Sequence, residues 1–195
     1  INMDELLDSM LEGISNMDYV RSEDIPNIEL YMDQVTSFMD EQLSSSKRYD
    51  DDKILTKTMI NNYAKNDLLP PPIKKKYSKE HLLLLIYIYY YKSILSIGDI
   101  QSLLEPLTQR YFHKDGEMNM QSIYEEVFSL EKEQVEKMKQ DVTEKYETAS
   151  RIFPEAEAED QEFLRIFSFI CLLSFDVYVK KQVIEKLIDE LPKKS

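Results

Sequence analysis

The chain has 195 residues, 43% of them hydrophobic, with 3 glycines and 7 prolines; that is enough to bury a core, which excludes disorder throughout and favours an all-α fold over a sandwich or barrel. Cys171 is the single cysteine, which excludes an intramolecular disulfide and a cysteine-based zinc site and fits a reducing cytoplasm. The formal net charge of −13, taken whole, argues against nucleic acid as a partner.

The first stretch, INMDELLDSMLEGISNMDYV, scatters Leu, Met and Ile at helical spacing, and Pro26 then breaks it. It begins without a basic, apolar leader, so no signal peptide is expected. LYMDQVTSFMDEQL puts Met32, Val35, Phe38, Met39 and Leu43 on one helical face. SSSKRYDDDK reads as a polar, uncompensated loop. In LTKTMINNYAKNDLL, Thr56 is the expected N-cap, Met59, Ile60 and Tyr63 share a face, and Asn66 and Asp67 end the helix because both tolerate left-handed geometry. The triple proline fixes an extended path, and IKKKYS is long enough only for a short β wing.

Ser78 caps the next helix, KEHLLLLIYIYYYKSIL, which is apolar nearly all round and therefore central. Ser96 with Asp99 opens another helix in the manner of a capping box. From Ser122 to Arg151 the chain is rich in Glu and Lys; Val135, Met138, Val142 and Ala149 form a rough heptad stripe interrupted by Lys145, a candidate dimer helix. A final helix is expected from about Gln161. Its stretch FLRIFSFICLLSFDVYVKK has the length of a bilayer span, but Arg165 and Asp176 make it a buried core helix and no membrane partner is expected.

Charge is unevenly distributed. Residues 1–52 carry 3 basic and 14 acidic groups, residues 53–79 carry 7 lysines and one Asp, and residues 80–195 carry 14 basic and 22 acidic groups. One basic island therefore sits in an acidic chain, and screening over about 8–10 Å lets it act locally.

The stretch TMINNYAKNDLLPPPIKKKYSKEHLLLLIYIYYYKSILSIGDIQSLLE resembles the DNA-binding head of MerR-type regulators. Their pattern is a helix ending in Tyr, a Gly-Leu-Leu turn, a basic wing closing on Tyr-Ser, a helix, and a closing helix. Tyr63, Leu68, Leu69, Tyr77 and Ser78 match it, as do Lys74, Lys75 and Lys76 in the wing and Ile97, Ile100, Leu103 and Leu104 in the last helix. More closely, the stretch from DIPNIELYMDQV to SLLE resembles a Gram-positive bacterial family catalogued as domain-of-unknown-function family 1836. Three departures stand out: Asn61 replaces the usual Arg of the second helix, Asp67 replaces the usual Gly, and the loop SSSKRYDDDK is longer and more acidic than the short turn of that pattern.

The resemblance implies a MerR-like winged helix-turn-helix at 26–110; the helical patterns outside it are expected to form an N-terminal helical arm at 1–25 and a helical C-terminal region at 111–195 for dimerisation or sensing. It implies duplex DNA as partner, bound by a recognition helix offering Lys57, Thr58, Asn61, Asn62 and Lys65 and by a wing offering Lys74, Lys75, Lys76, Tyr77 and Lys79. Without a bidentate Arg, phosphate affinity is implied more strongly than guanine reading.

Each feature also has a plainer reading: a solvated loop for the lysines, an ordinary exposed face for the helix, and core packing for Tyr87, Tyr89, Tyr90 and Tyr91. His81 and His113 have no Cys or His at ligand spacing and read as surface or cap residues, and YDDD and EAEAED lack a calcium-loop pattern. No Walker loop, GxSxG or HExxH occurs, so neither enzymatic activity nor a cofactor is expected. The expectation is a cytoplasmic, homodimeric regulator; the alternative is a non-enzymatic interaction module for an unknown protein partner.

Overall fold

The computed structural model describes residues 2–17 and 19–193. Among them are seven α-helices and one two-stranded antiparallel sheet, an all-α fold with a short β wing. The elements are α1 (Met3–Ser15), β1 (Leu30–Tyr31), α2 (Met32–Gln42), α3 (Lys57–Lys65), β2 (Lys76–Tyr77), α4 (Lys79–Tyr91), α5 (Ile97–Tyr111), α6 (Met120–Ser150) and α7 (Ala158–Asp189). The chain divides into two compact units, one of residues 19–128 with 185–195 and the other of residues 1–18 with 129–184.

The larger unit is built on α4. Ser78 caps it, its hydroxyl accepting from the His81 amide, and every residue from His81 to Ile88 is buried. A helix without a polar face can be stable only when surrounded, and here Leu82, Leu83, Leu84 and Leu85 are each 1% exposed or less. Truncating one of them to Ala would cost about 2–5 kcal/mol through lost transfer energy and the cavity left behind.

One end of α4 enters an aromatic layer. Tyr87 lies edge-on to Tyr124 at 5.7 Å, Phe128 lies 4.3 Å from Tyr124, and Tyr19 meets Phe128 at 4.4 Å. Burial pushes the Tyr87 and Tyr90 hydroxyls up to about 12, while Tyr124 donates its hydroxyl hydrogen to the Val20 carbonyl. The tyrosine run packs as core, with Tyr87 buried and Tyr89, Tyr90 and Tyr91 half-buried.

Segment 44–53 is more ordered than its composition predicts. A 3-10 turn occupies Ser44–Ser46, Lys47 pairs with Asp40 at 2.9 Å, and the Asp52 carboxylate accepts the amides of Arg48 and Tyr49 at 3.2 and 3.0 Å. The acidic run compensates itself by binding backbone N–H groups, as aspartates in turns do.

In the smaller unit, α6 and α7 run antiparallel. Lys145 on α6 bridges Asp141 on its own helix and Asp176 on α7, the latter at 2.7 Å, and Tyr146 lies edge-on to Phe169. Lys145 thus interrupts the apolar stripe because it sits between two carboxylates, and Ala149 of that stripe is buried within its own chain.

The expectation that 163–181 forms a buried core helix is corrected. Phe169 is 4% exposed, but Phe163, Phe167, Ile170, Phe175, Val177, Tyr178 and Val179 are all more than half exposed. α6 and the start of α1 lie against α7 but leave much of its surface uncovered, and burial all round needs neighbours on every side. No described helix is long and apolar enough to cross a membrane.

Candidate nucleic-acid interface

The site is built from α3 outward. Thr56 caps the helix by accepting the Met59 amide at 3.1 Å, and Ile60 and Tyr63 anchor its inner side at 0% and 9% exposure. Lys57, Thr58, Asn61, Asn62 and Lys65 follow one another by one, three, one and three residues, so they occupy the opposite face. All five are exposed.

The helix stops in a Schellman turn. Leu68 N–H donates to the Tyr63 carbonyl at 2.9 Å and Asp67 N–H to the Ala64 carbonyl at 3.3 Å, with Asp67 at φ 58°. Leu68 and Leu69, buried at 2% and 1%, then pin the chain before the prolines carry it outward.

The wing is a hairpin of minimal length. Ile73 and Lys76 exchange both backbone hydrogen bonds, at 3.1 and 3.0 Å, leaving Lys74 and Lys75 as the two turn residues with φ 51° and 65°. Positive φ at both central positions is the requirement of a type I′ turn, for which Asn-Gly is the favoured pair. Lysine has a Cβ, and the left-handed region costs each about 1 kcal/mol or more. Two adjacent cationic side chains are therefore held at the hairpin tip against the local preference of the backbone.

The wing's root is fixed from two sides. β1 pairs with β2 through Leu30 opposite Tyr77 and Tyr31 opposite Lys76. His81, 1% exposed, accepts the Ser78 amide on Nδ1 at 3.0 Å and donates from Nε2 to the Pro71 carbonyl at 3.3 Å. Burial holds His81 below its ordinary pKa and the neighbouring His113 adds to this, against smaller opposing effects from the Pro71 and Pro70 carbonyls and Glu29. α2 packs against both α3 and β2, so one scaffold carries the helix face and the wing.

The remaining candidates are placed as follows. Lys74 and Lys75 are exposed; Lys76 is half-buried with its Nζ 5.4 Å from the Tyr31 ring centroid; Lys79 donates to the Asn27 side chain at 3.2 Å. Tyr77 is 3% exposed and edge-on to His81, so it anchors the wing from inside. Lys57 is ion-paired with Asp33 at the start of α2, both side chains being largely exposed. His81 is the cap residue that the sequence reading allowed, the N3 member of a capping box with Ser78; its burial and its bond to the Pro71 carbonyl were not read from the sequence. Sequence reasoning also missed the Asp33 partner, which no spacing rule links to Lys57.

Among the described residues no group of His, Cys, Asp and Glu could hold a metal ion. No curated protein and no solved structure matches the chain. Residues 20–127 match the family described as a domain of unknown function (DUF1836), a span that takes in α2, α3, the wing, α4 and α5. The chain belongs to the DUF1836 family.

Proposed function

We propose that the protein is a non-catalytic DNA-binding regulator of MerR-like type, with the outer face of α3 entering the major groove and the hairpin tip gripping the flanking phosphates. The observation that carries this reading is the wing: two lysines occupy turn positions where glycine and asparagine are favoured, beside a helix with one apolar and one polar face. Strained residues persist where something other than stability retains them. Phosphate contact is such a reason, since each neutralised phosphate releases condensed counterions.

The regulator is a homodimer in this reading. Phe163, Phe167, Ile170, Ser174 and Val177 repeat at alternating spacings of four and three along α7, and the four apolar members are more than half exposed.

Fluorescence anisotropy against a pool of duplex fragments from the source genome, at two salt concentrations, tests the proposal. Wild-type protein binds with a salt-dependent affinity, and Lys74→Gln with Lys75→Gln weakens binding and lowers the log–log salt slope by about 0.9 per lost phosphate contact. Unchanged affinity and slope in the double variant refute the phosphate grip.

A second reading draws on the Lys57–Asp33 pair, which neutralises one candidate contact at the head of α3. In that reading the same surface meets an unknown protein partner. A protein that co-purifies from the native cell regardless of nuclease treatment, together with no duplex binding at low salt, would favour it.

A further inference from the structure

The smaller unit encloses a cavity of about 200 Å³ where the end of α6 meets the start of α7, with Met3 of α1 also at its wall. Its apolar lining comes from Ile166 and Phe169 with the smaller Ala149 and Ala158, and its polar lining from Tyr146, Ser150, Gln161, Glu162 and Arg165.

Glu162 has an interaction of its own, and three of the other four polar groups are engaged elsewhere. Tyr146 donates its hydroxyl hydrogen to the Asp4 carboxylate at 2.7 Å, Ser150 donates to the Tyr146 carbonyl at 2.6 Å, and the Gln161 amide donates to the Phe153 carbonyl at 2.9 Å. Arg165 differs: its Nε is buried and has no hydrogen-bond partner. A guanidinium is always charged, has five donors and no acceptor, and is shaped to meet a carboxylate with two parallel bonds. A buried donor of this kind left unpaired is an exception that calls for a reason.

We infer that this cavity binds a small monocarboxylate with an apolar body, its carboxylate on Arg165 and its body against Ile166 and Phe169. The volume leaves room for roughly ten non-hydrogen atoms, below the drug-sized range. Apolar walls with one convergent ionic group are the usual design of a small-molecule site. The site is independent of the DNA-binding reading, since every wall residue belongs to the smaller unit.

Calorimetric titration of the full chain with phenylacetate, 4-methylpentanoate and the neutral isostere phenylacetamide tests it. At least one carboxylate is expected to bind with a Kd of about 1 mM or tighter, and phenylacetamide about tenfold more weakly than phenylacetate or not at all. Arg165→Met weakens the carboxylate about tenfold or more. Ala158→Trp, an exposed position at the cavity mouth that leaves Arg165 intact, blocks binding without lowering Tm. The inference is overturned if neither carboxylate binds up to about 10 mM, if phenylacetamide binds as well as phenylacetate, or if folded Arg165→Met and Ala158→Trp both bind as the wild type does.

Discussion

His81 donates from Nε2 to the carbonyl of Pro71 at 3.3 Å, which ties the core helix α4 to the proline segment that carries the wing. With Nδ1 accepting the Ser78 amide, the ring is a neutral tautomer, and burial disfavours its protonation.

The sign of the resulting pH dependence follows from the lowered pKa. The unfolded chain takes up the proton near the ordinary value of 6.5 and the folded chain only at lower pH. This contribution is fully present above about 6.5 and is lost as pH falls from there toward the folded value. His81→Gln keeps an acceptor at the capping-box position without a titrating group. Urea midpoints at about pH 7.5 and 5.5 should differ less in this variant than in the wild type; equal differences would remove His81 from the account.

Asp67 takes the left-handed position that closes α3. Glycine adopts it without the Cβ penalty, so Asp67→Gly is expected to stabilise the fold by roughly 0.5–1 kcal/mol, a rise in Tm of about 1–4 °C for a chain of this size. Thermal melting checks this. A fall in Tm would mean that the Asp67 carboxylate makes a compensating interaction.

The wing tip separates stability from function in a single variant. Replacing Lys74 by Asn and Lys75 by Gly supplies the pair that a type I′ turn favours, so the melting temperature should rise while duplex affinity falls about tenfold or more. Loss of both properties together would mean that the lysines stabilise the hairpin itself.

The outer side of α7 yields a prediction about assembly. Light scattering should give a particle of about twice the 23.1 kDa chain mass, and Phe167→Glu should return it to one chain while leaving the helical circular dichroism intact. A wild-type particle of one chain mass at micromolar concentration would remove the dimer.

The sequence was informative wherever local chemistry decides. Thr56, Ser78 and Ser96 are caps as read, because capping is a contact within four residues. α4 is central because eight successive buried side chains admit no other placement. The outward face of α7 was misread because an apolar run states that burial is favourable, not which neighbour supplies it. Lys145 read as an interruption of a stripe because its partner Asp176 lies 31 positions away, beyond any periodicity rule. The left-handed Lys74–Lys75 pair was equally hidden, since turn statistics point to Gly and Asn.

The complete burial of α4 also sets a timescale. From Leu82 to Ile88 its amides donate to carbonyls one turn back and are shielded by side chains on every side, so no local fraying exposes them. They should be the last in the larger unit to take up deuterium, exchanging only when that unit opens as a whole. The Lys74–Lys75 tip, fully outside, should exchange at once.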